Sequence, residues 1–191
     1  MRDRILSTAT QLFVERGYSS VAMREISDAC GITKAALYYH FVGKADLLDA
    51  ICTGYLEEIS QVVAASAAHA QSHEAQLRWL VHRLFELPPG RRAIMRLAMN
   101  DVPKLQAAQR AAFTTAYRER FIKPLQQLIA AGVAAGELRP MEPATVVWLL
   151  LGMLYPFFTP PGDGGAHPPE VVDTLLDVLF CGLRAAPVDQ A

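Results

Sequence analysis

The chain has 191 residues, 52% of them apolar, with 18 Lys and Arg against 19 Asp and Glu and a net charge of −1. That length supports a well-buried core in one or two domains, and that composition excludes a disordered chain. Near-neutral charge argues against a protein that coats nucleic acid indiscriminately, and no apolar run is long enough to span a membrane.

The first pattern is a helix over residues 2–16, in which Ile5, Leu6, Ala9, Leu12 and Phe13 form one apolar stripe and Gly17 follows the end. Its internal charges break the continuous apolar centre that a secretion signal needs, so a cytoplasmic location is expected. Residues 22–44, AMREISDACGITKAALYYHFVGK, then divide into two short helical patterns around Gly31. Ile26 and Cys30 share a face of the first, Leu37 and Phe41 share a face of the second, and Ile32 lies between them. Two such faces closing across a tight turn describe a helix-turn-helix. Gly31 suits the turn because it takes positive φ without a Cβ clash, and Thr33 is a natural N-cap for the second helix. That helix turns Lys34, Ala35, Ala36, Tyr38, Tyr39 and His40 outward. This short, mostly uncharged surface flanked by cations is what a helix entering a DNA major groove requires. Residues 1–45 carry six Lys and Arg against four acids, and the remainder 12 against 15, so the small basic excess sits with this motif.

A long pattern from Lys44 to about Ala68 follows, with Leu47, Leu48, Ile51, Cys52, Tyr55, Leu56 and Ile59 on its apolar face. Gly43 is an acceptable N-cap, and Asp46 complements the dipole of the first turn. At ~1.5 Å per residue this helix spans roughly 35 Å and ties the N-terminal part to the rest. Helices are predicted over 74–87, 91–100 and 104–135, the last with a kink at Pro124. Residues 143–158 and 170–185 give two more, separated by a loop, since 156–169 holds five Pro and three Gly. With no alternating strand pattern, the chain reads as all-α, about nine helices, with a helix-turn-helix DNA-binding domain at 1–46 and a larger helical domain at 47–191 that binds ligand and dimerises. The last two helices are apolar around most of their circumference and need cover on more than one side. A second copy of the chain, pairing residues 143–185 into a two-fold four-helix bundle, is the economical cover; burial within the monomer is the alternative.

Little in the sequence points to catalysis or a cofactor: there is no Gly-rich phosphate loop, no nucleophile motif and no carboxylate pair set with a His. A helical enzyme or protein-interaction adaptor with an incidental helix-turn-helix is the competing reading. His69 and His73 stand four apart, a spacing that can hold a metal from one helical face, although a pair of solvated histidines and no metal is expected. Cys30, Cys52 and Cys181 are widely spaced in apolar patterns and read as buried thiols.

The residues Ile5–Phe13, Gly17-Tyr18, Arg24-Glu25-Ile26, Gly31 to Phe41 (GITKAALYYHF), Lys44 and Leu47-Leu48 together resemble the tetracycline-repressor (TetR) family of transcription regulators. The resemblance covers about the first 50 residues. It implies a homodimer on a palindromic double-stranded DNA operator, acting as a repressor that a small apolar effector releases. By the same resemblance, Thr33, Lys34, Ala35, Ala36 and Tyr38 face base edges or nearby backbone. Tyr39, His40 and Lys44 hold phosphates, and Arg24 reaches a guanine. Ala22 and Gly43 depart from the Thr or Ser, and Ser or Asn, common at those positions, so both helix caps are expected to be weak. An effector pocket among the middle helices would draw on Trp79, Met95, Met99, Phe113, Tyr117, Phe121, Trp148 and Tyr155, since Met adapts to shape and aromatic residues add polar handles.

Overall fold

The computed structural model describes residues 1–69, 72–158 and 169–184. Three helices, α1 (Arg2–Arg16), α2 (Met23–Ala29) and α3 (Lys34–His40), form a small head, and α4 (Lys44–Ser66) runs from it into the body. The body continues through α5 (His73–Glu86), α6 (Pro89–Asp101), α7 (Ala107–Tyr117), α8 (Lys123–Ala134), α9 (Pro143–Leu154) and α10 (Pro169–Leu183). α7 passes into α8 through a π-helical segment, Arg118–Ile122, so the described residues hold nine helices when that run counts as one. The irregularity expected at Pro124 therefore falls just ahead of it. Proline supplies no N–H to the preceding turn, and the chain adjusts by widening that turn.

The head folds as its pattern requires. Ile5, Ala9 and Phe13 of α1 pack with Ile26, Leu37 and Phe41, all buried, and Gly31 turns the chain at φ +61°. The Thr33 hydroxyl accepts a hydrogen bond from the Ala36 N–H at 3.1 Å and caps α3. Neither departure in the caps leaves a helix end bare. Ala22 has no side-chain acceptor, but Glu25 reaches back to accept from the Ala22 N–H at 2.7 Å. That hydrogen bond, with one from Arg16, holds the Glu25 carboxyl below its ordinary range. Asp46 accepts from the Val42 N–H at 3.1 Å, so the start of α4 is tied without a side chain at position 43.

The core is one continuous cluster from Ile5 to Leu183, with α4 at its centre contributing Leu47, Leu48, Ile51, Tyr55, Leu56 and Ile59. The predicted Pro- and Gly-rich loop lies largely outside the described residues. Its first positions complete a 3₁₀ turn, Tyr155–Phe158, and Pro169 begins α10. Cys30 and Cys52 are buried as expected, but Cys181 is exposed, because it lies on the face of α10 that no other described element covers. His69 and His73 do not form the four-residue helical pair either. α4 ends at Ser66 and α5 starts at His73, so His69 packs its ring against Trp79 at 4.5 Å, while His73 Nδ1 lies 3.0 Å from Glu137.

Candidate DNA-reading surface and effector cavity

α3 presents one broad face. Leu37 is fully buried, while Thr33, Lys34, Ala35, Tyr38 and Tyr39 are exposed, and Ala36 and His40 are half-buried. Tyr39 is 86% exposed, its ring edge-on to His40 with centroids 5.3 Å apart; Tyr38 is 42% exposed beneath the Lys34 ammonium, 5.7 Å from the ring centroid. An aromatic ring this exposed on a short helix contributes nothing to the core, and its hydroxyl is free to meet a phosphate. Arg24, on α2, is paired only loosely with Asp28 at 3.7 Å, and both side chains are mostly in solvent. A pair of that kind is worth little and opens readily toward a base edge. Arg24 and the exposed α3 residues thus lie in solvent on two helices packed against each other.

Lys44 is placed differently from these residues. Its ammonium is turned inward and donates to the carbonyl oxygens of Tyr18 at 2.8 Å, Val21 at 2.9 Å and Ser19 at 3.3 Å. It also lies 4.5 Å from the centroid of the Tyr18 ring. Three donors are thereby occupied, and burial pushes the Lys44 pKa down, opposed by the charges of Asp101 and Glu25. Lys44 is a strap between the α1–α2 link and the start of α4. The sequence signal for this role was its position: a lysine at the first residue of a helix, where dipole and charge oppose each other, needs a compensating partner.

Behind the head, α4, α6, α7 and α9 border a half-open apolar cavity of two lobes, about 220 and 250 Å³, that share Met95, Met99, Tyr117 and Trp148 in their walls. Phe113 lines the first lobe and Tyr155 the second, so six of the expected pocket residues meet around one space. Trp79 and Phe121 do not. Trp79 packs on His69 and Arg83 outside the cavity, and Phe121 is fully buried behind Tyr117. Sequence reasoning missed Tyr55, Arg110, Thr114 and Phe158, which also line the lobes. Tyr55 reads from its spacing as ordinary core; only the cavity beside it distinguishes it. Burial pushes the Tyr55 hydroxyl pKa far above its ordinary value and that of Tyr117 up to about 12, so both are neutral donors at pH 7.

The cavity wall and the head share a helix. α6 gives Met95, Ala98 and Met99 to the cavity, while its Arg96 guanidinium donates to the Val14 carbonyl of α1 at 3.4 Å. From α7, Gln109 donates to Asp46 in the first turn of α4 at 3.3 Å.

A helix-turn-helix head on a larger helical body with an apolar cavity between its helices defines a DNA-binding transcription regulator of the ligand-responsive class. A family model described as bacterial regulatory proteins of the tetR family matches residues 5–51, and one described as the tetracyclin repressor-like C-terminal domain matches residues 70–183. The chain belongs to the tetR family. It is 28% identical over 138 residues to the HTH-type transcriptional repressor KstR2 of Rhodococcus jostii, covering 72% of this chain and 68% of that protein. Among solved structures, AibR in complex with isovaleryl coenzyme A and operator DNA is similar with a TM-score of 0.80 at 26% identity, covering 94% of this chain and 97% of that one. A TetR/AcrR-family regulator from Thermobifida fusca gives 0.70 at 31% identity, covering 95% and 97%.

Two substitutions separate base reading from phosphate holding. Tyr39→Ala is expected to weaken binding to every DNA sequence alike in a competition gel shift; an altered site preference would refute the phosphate role. Arg24→Ala should instead relax preference at one base pair per half-site, at a cost of about 1–3 kcal/mol, read from a randomised-site selection.

Proposed function

We propose that the protein is a repressor, released from its operator when a small apolar effector enters the cavity between α4, α6, α7 and α9. The observation that carries this reading is the double duty of α6, which lines the cavity through Met95, Ala98 and Met99 and grips α1 through Arg96. An effector that wedges α6 outward displaces α1 and, with it, the α2–α3 surface. Domain division follows function: residues 1–46 read DNA through Arg24, Thr33, Lys34, Ala35, Ala36, Tyr38, Tyr39 and His40, and residues 47–191 hold effector and dimerise. α4 belongs to both. The effector must bind the DNA-incompetent arrangement more tightly, since equal affinity for both shifts nothing. Two copies joined through α9 and α10 place two α3 helices in successive major grooves, about 34–36 Å apart or multiples of that. AibR, solved with an acyl thioester and operator DNA together, supports a pairing of ligand and DNA in one such fold. The reading assigns no catalytic step and places the protein in the cytoplasm with the DNA it controls.

The test fills the cavity from α6. With the operator mapped by footprinting on the DNA upstream of the protein's own coding sequence, Ala98→Phe should mimic occupancy and lower operator affinity at least tenfold. Sedimentation and circular dichroism should show an unchanged dimer. Undiminished affinity in a folded, filled variant overturns the coupling of cavity to DNA.

A further inference from the structure

The first lobe of the cavity has a charged rim. α7 buries none of its residues fully, yet Arg110, Phe113, Thr114 and Tyr117, spaced i, i+3, i+4 and i+7, all line that lobe. The stripe that a packed helix would close against its neighbours is here a wall. Its two ends differ. Phe113 and Tyr117 stack with centroids 6.2 Å apart, and Tyr117 continues into the second lobe, whose described walls carry no charged side chain. Arg110 is the one charged side chain among the described residues that line either lobe. It is exposed, so its aliphatic stem covers apolar wall while its guanidinium stands at the mouth.

That guanidinium is positioned but not neutralised. Its Nη1 donates to the carbonyl oxygen of Pro103, itself a lining residue, at 3.2 Å. This is its one hydrogen bond among the described residues, which leaves the rest of its N–H donors available at the rim. Other arginines of the body are spent on carboxylates: Arg78 on Asp177, Arg91 on Glu58, Arg120 on Glu57 and Arg184 on Glu74. Asp101, the acid at the end of α6, is taken by Lys104. Arg110 makes no ion pair among the described residues, and the Thr114 hydroxyl lies one turn further along the same stripe. A pocket of this kind is apolar over most of its wall and uses a few polar groups to orient what it binds.

We infer that the effector is an anionic amphiphile, its apolar body lying along Phe113, Tyr117 and Trp148 toward the second lobe and its acidic head group received at the rim by Arg110. The planar fork of the guanidinium suits an oxyanion. Because the rim is in water, the charge supplies a modest preference that salt screens, and the apolar body supplies most of the affinity. The inference rests on the cavity being the effector site. It is tested by binding alone, without DNA, so that its failure and the failure of that reading are distinguishable.

Isothermal titration of the full chain near neutral pH with sodium decanoate, 1-decanol and decylammonium chloride varies the head group on one apolar body. Decanoate should bind about fivefold more tightly than decanol, and decylammonium more weakly than either. Raising NaCl from about 0.01 M to about 1 M, which shortens the screening length from roughly 30 Å to roughly 3 Å, should remove the preference. Arg110→Met should make decanoate and decanol bind alike, and Arg110→Glu should place decylammonium first. Position 110 is exposed, so both variants should keep the circular dichroism of the unsubstituted protein. Ala98→Phe, which fills the first lobe, should weaken all three probes and so locate them in the cavity. Equal affinity for acid and alcohol, or a preference for the acid that survives Arg110→Glu, overturns the head-group assignment and leaves the cavity as effector site. Binding of no probe, or binding undiminished in Ala98→Phe, overturns both.

Discussion

Leu149→Glu combined with Val178→Glu is expected to yield monomers that no longer hold the operator. α9 and α10 bury Val146, Val147, Leu150, Leu154, Val172, Leu176 and Phe180 against the body, yet the opposite faces remain apolar. Trp148 is 56% exposed, Leu149 49% and Val178 63%. Gly152 and Gly182 are also exposed there, and residues without side chains let two helices approach closely. Burying such a face against its two-fold copy removes apolar area at about 25 cal/mol per Å², whereas a glutamate on each helix must be desolvated beside its symmetry mate. The DNA consequence is the larger one. A dimer places its second reading helix at high effective concentration once the first has bound, which multiplies affinity by roughly 10²–10⁴ without any new contact. Sedimentation velocity should therefore show the monomer, and gel shift should show the loss. A persisting dimer would move the interface away from α9 and α10.

Trp148 adds a consequence to that arrangement, because it lines both lobes of the cavity and is exposed on the same apolar face. In the proposed function, effector site and dimer surface thus share a wall, and a ligand that moves Trp148 would act on the spacing of the two heads as well as on α6 within each.

Periodicity in the sequence identifies the helices well because most of them keep one apolar stripe against a single core. It identifies the reading helix for the opposite reason: the outward residues of α3 do nothing for the core, so Tyr38 and Tyr39 stand out where an ordinary surface helix carries charge. The π-helical segment before Pro124 was legible only as a disturbance, since proline says that a hydrogen bond is lost and not how the backbone replaces it. The cavity was legible in six of its residues, because Met and aromatic side chains at helical spacing are all that a single chain can show. Trp79 and Phe121 carry the same chemistry and lie elsewhere, for spacing along a helix does not say which neighbour its face meets. Tyr55 was invisible. A tyrosine on a core face is ordinary until the cavity beside it is known.

Lys44 is where sequence resemblance and structure make opposite predictions, and Lys44→Met decides between them. A lysine that holds a phosphate contributes one released counterion, so its loss reduces the slope of log affinity against log salt by about one and leaves the fold intact. A strap behaves differently. Removing the ammonium strips the carbonyls of Tyr18, Ser19 and Val21 of a shared donor and leaves the Tyr18 ring without its cation. Hydrogen bonds to a charged group are worth about 1.5–3 kcal/mol, and these carbonyls are partly reached by water, so a loss of about 2 kcal/mol is expected. For a chain of this size that lowers the melting temperature by roughly 4–8 °C. Operator affinity should fall as well, because the link from Tyr18 to Val21 sets α2 and α3 against the start of α4, and a loosened head must be ordered again on binding. The salt slope, however, should not change. Calorimetry and a salt titration of operator binding, run on the same variant, therefore separate the roles: a lower melting temperature with an unchanged slope assigns Lys44 to the head's architecture, and the reverse pattern returns it to the DNA.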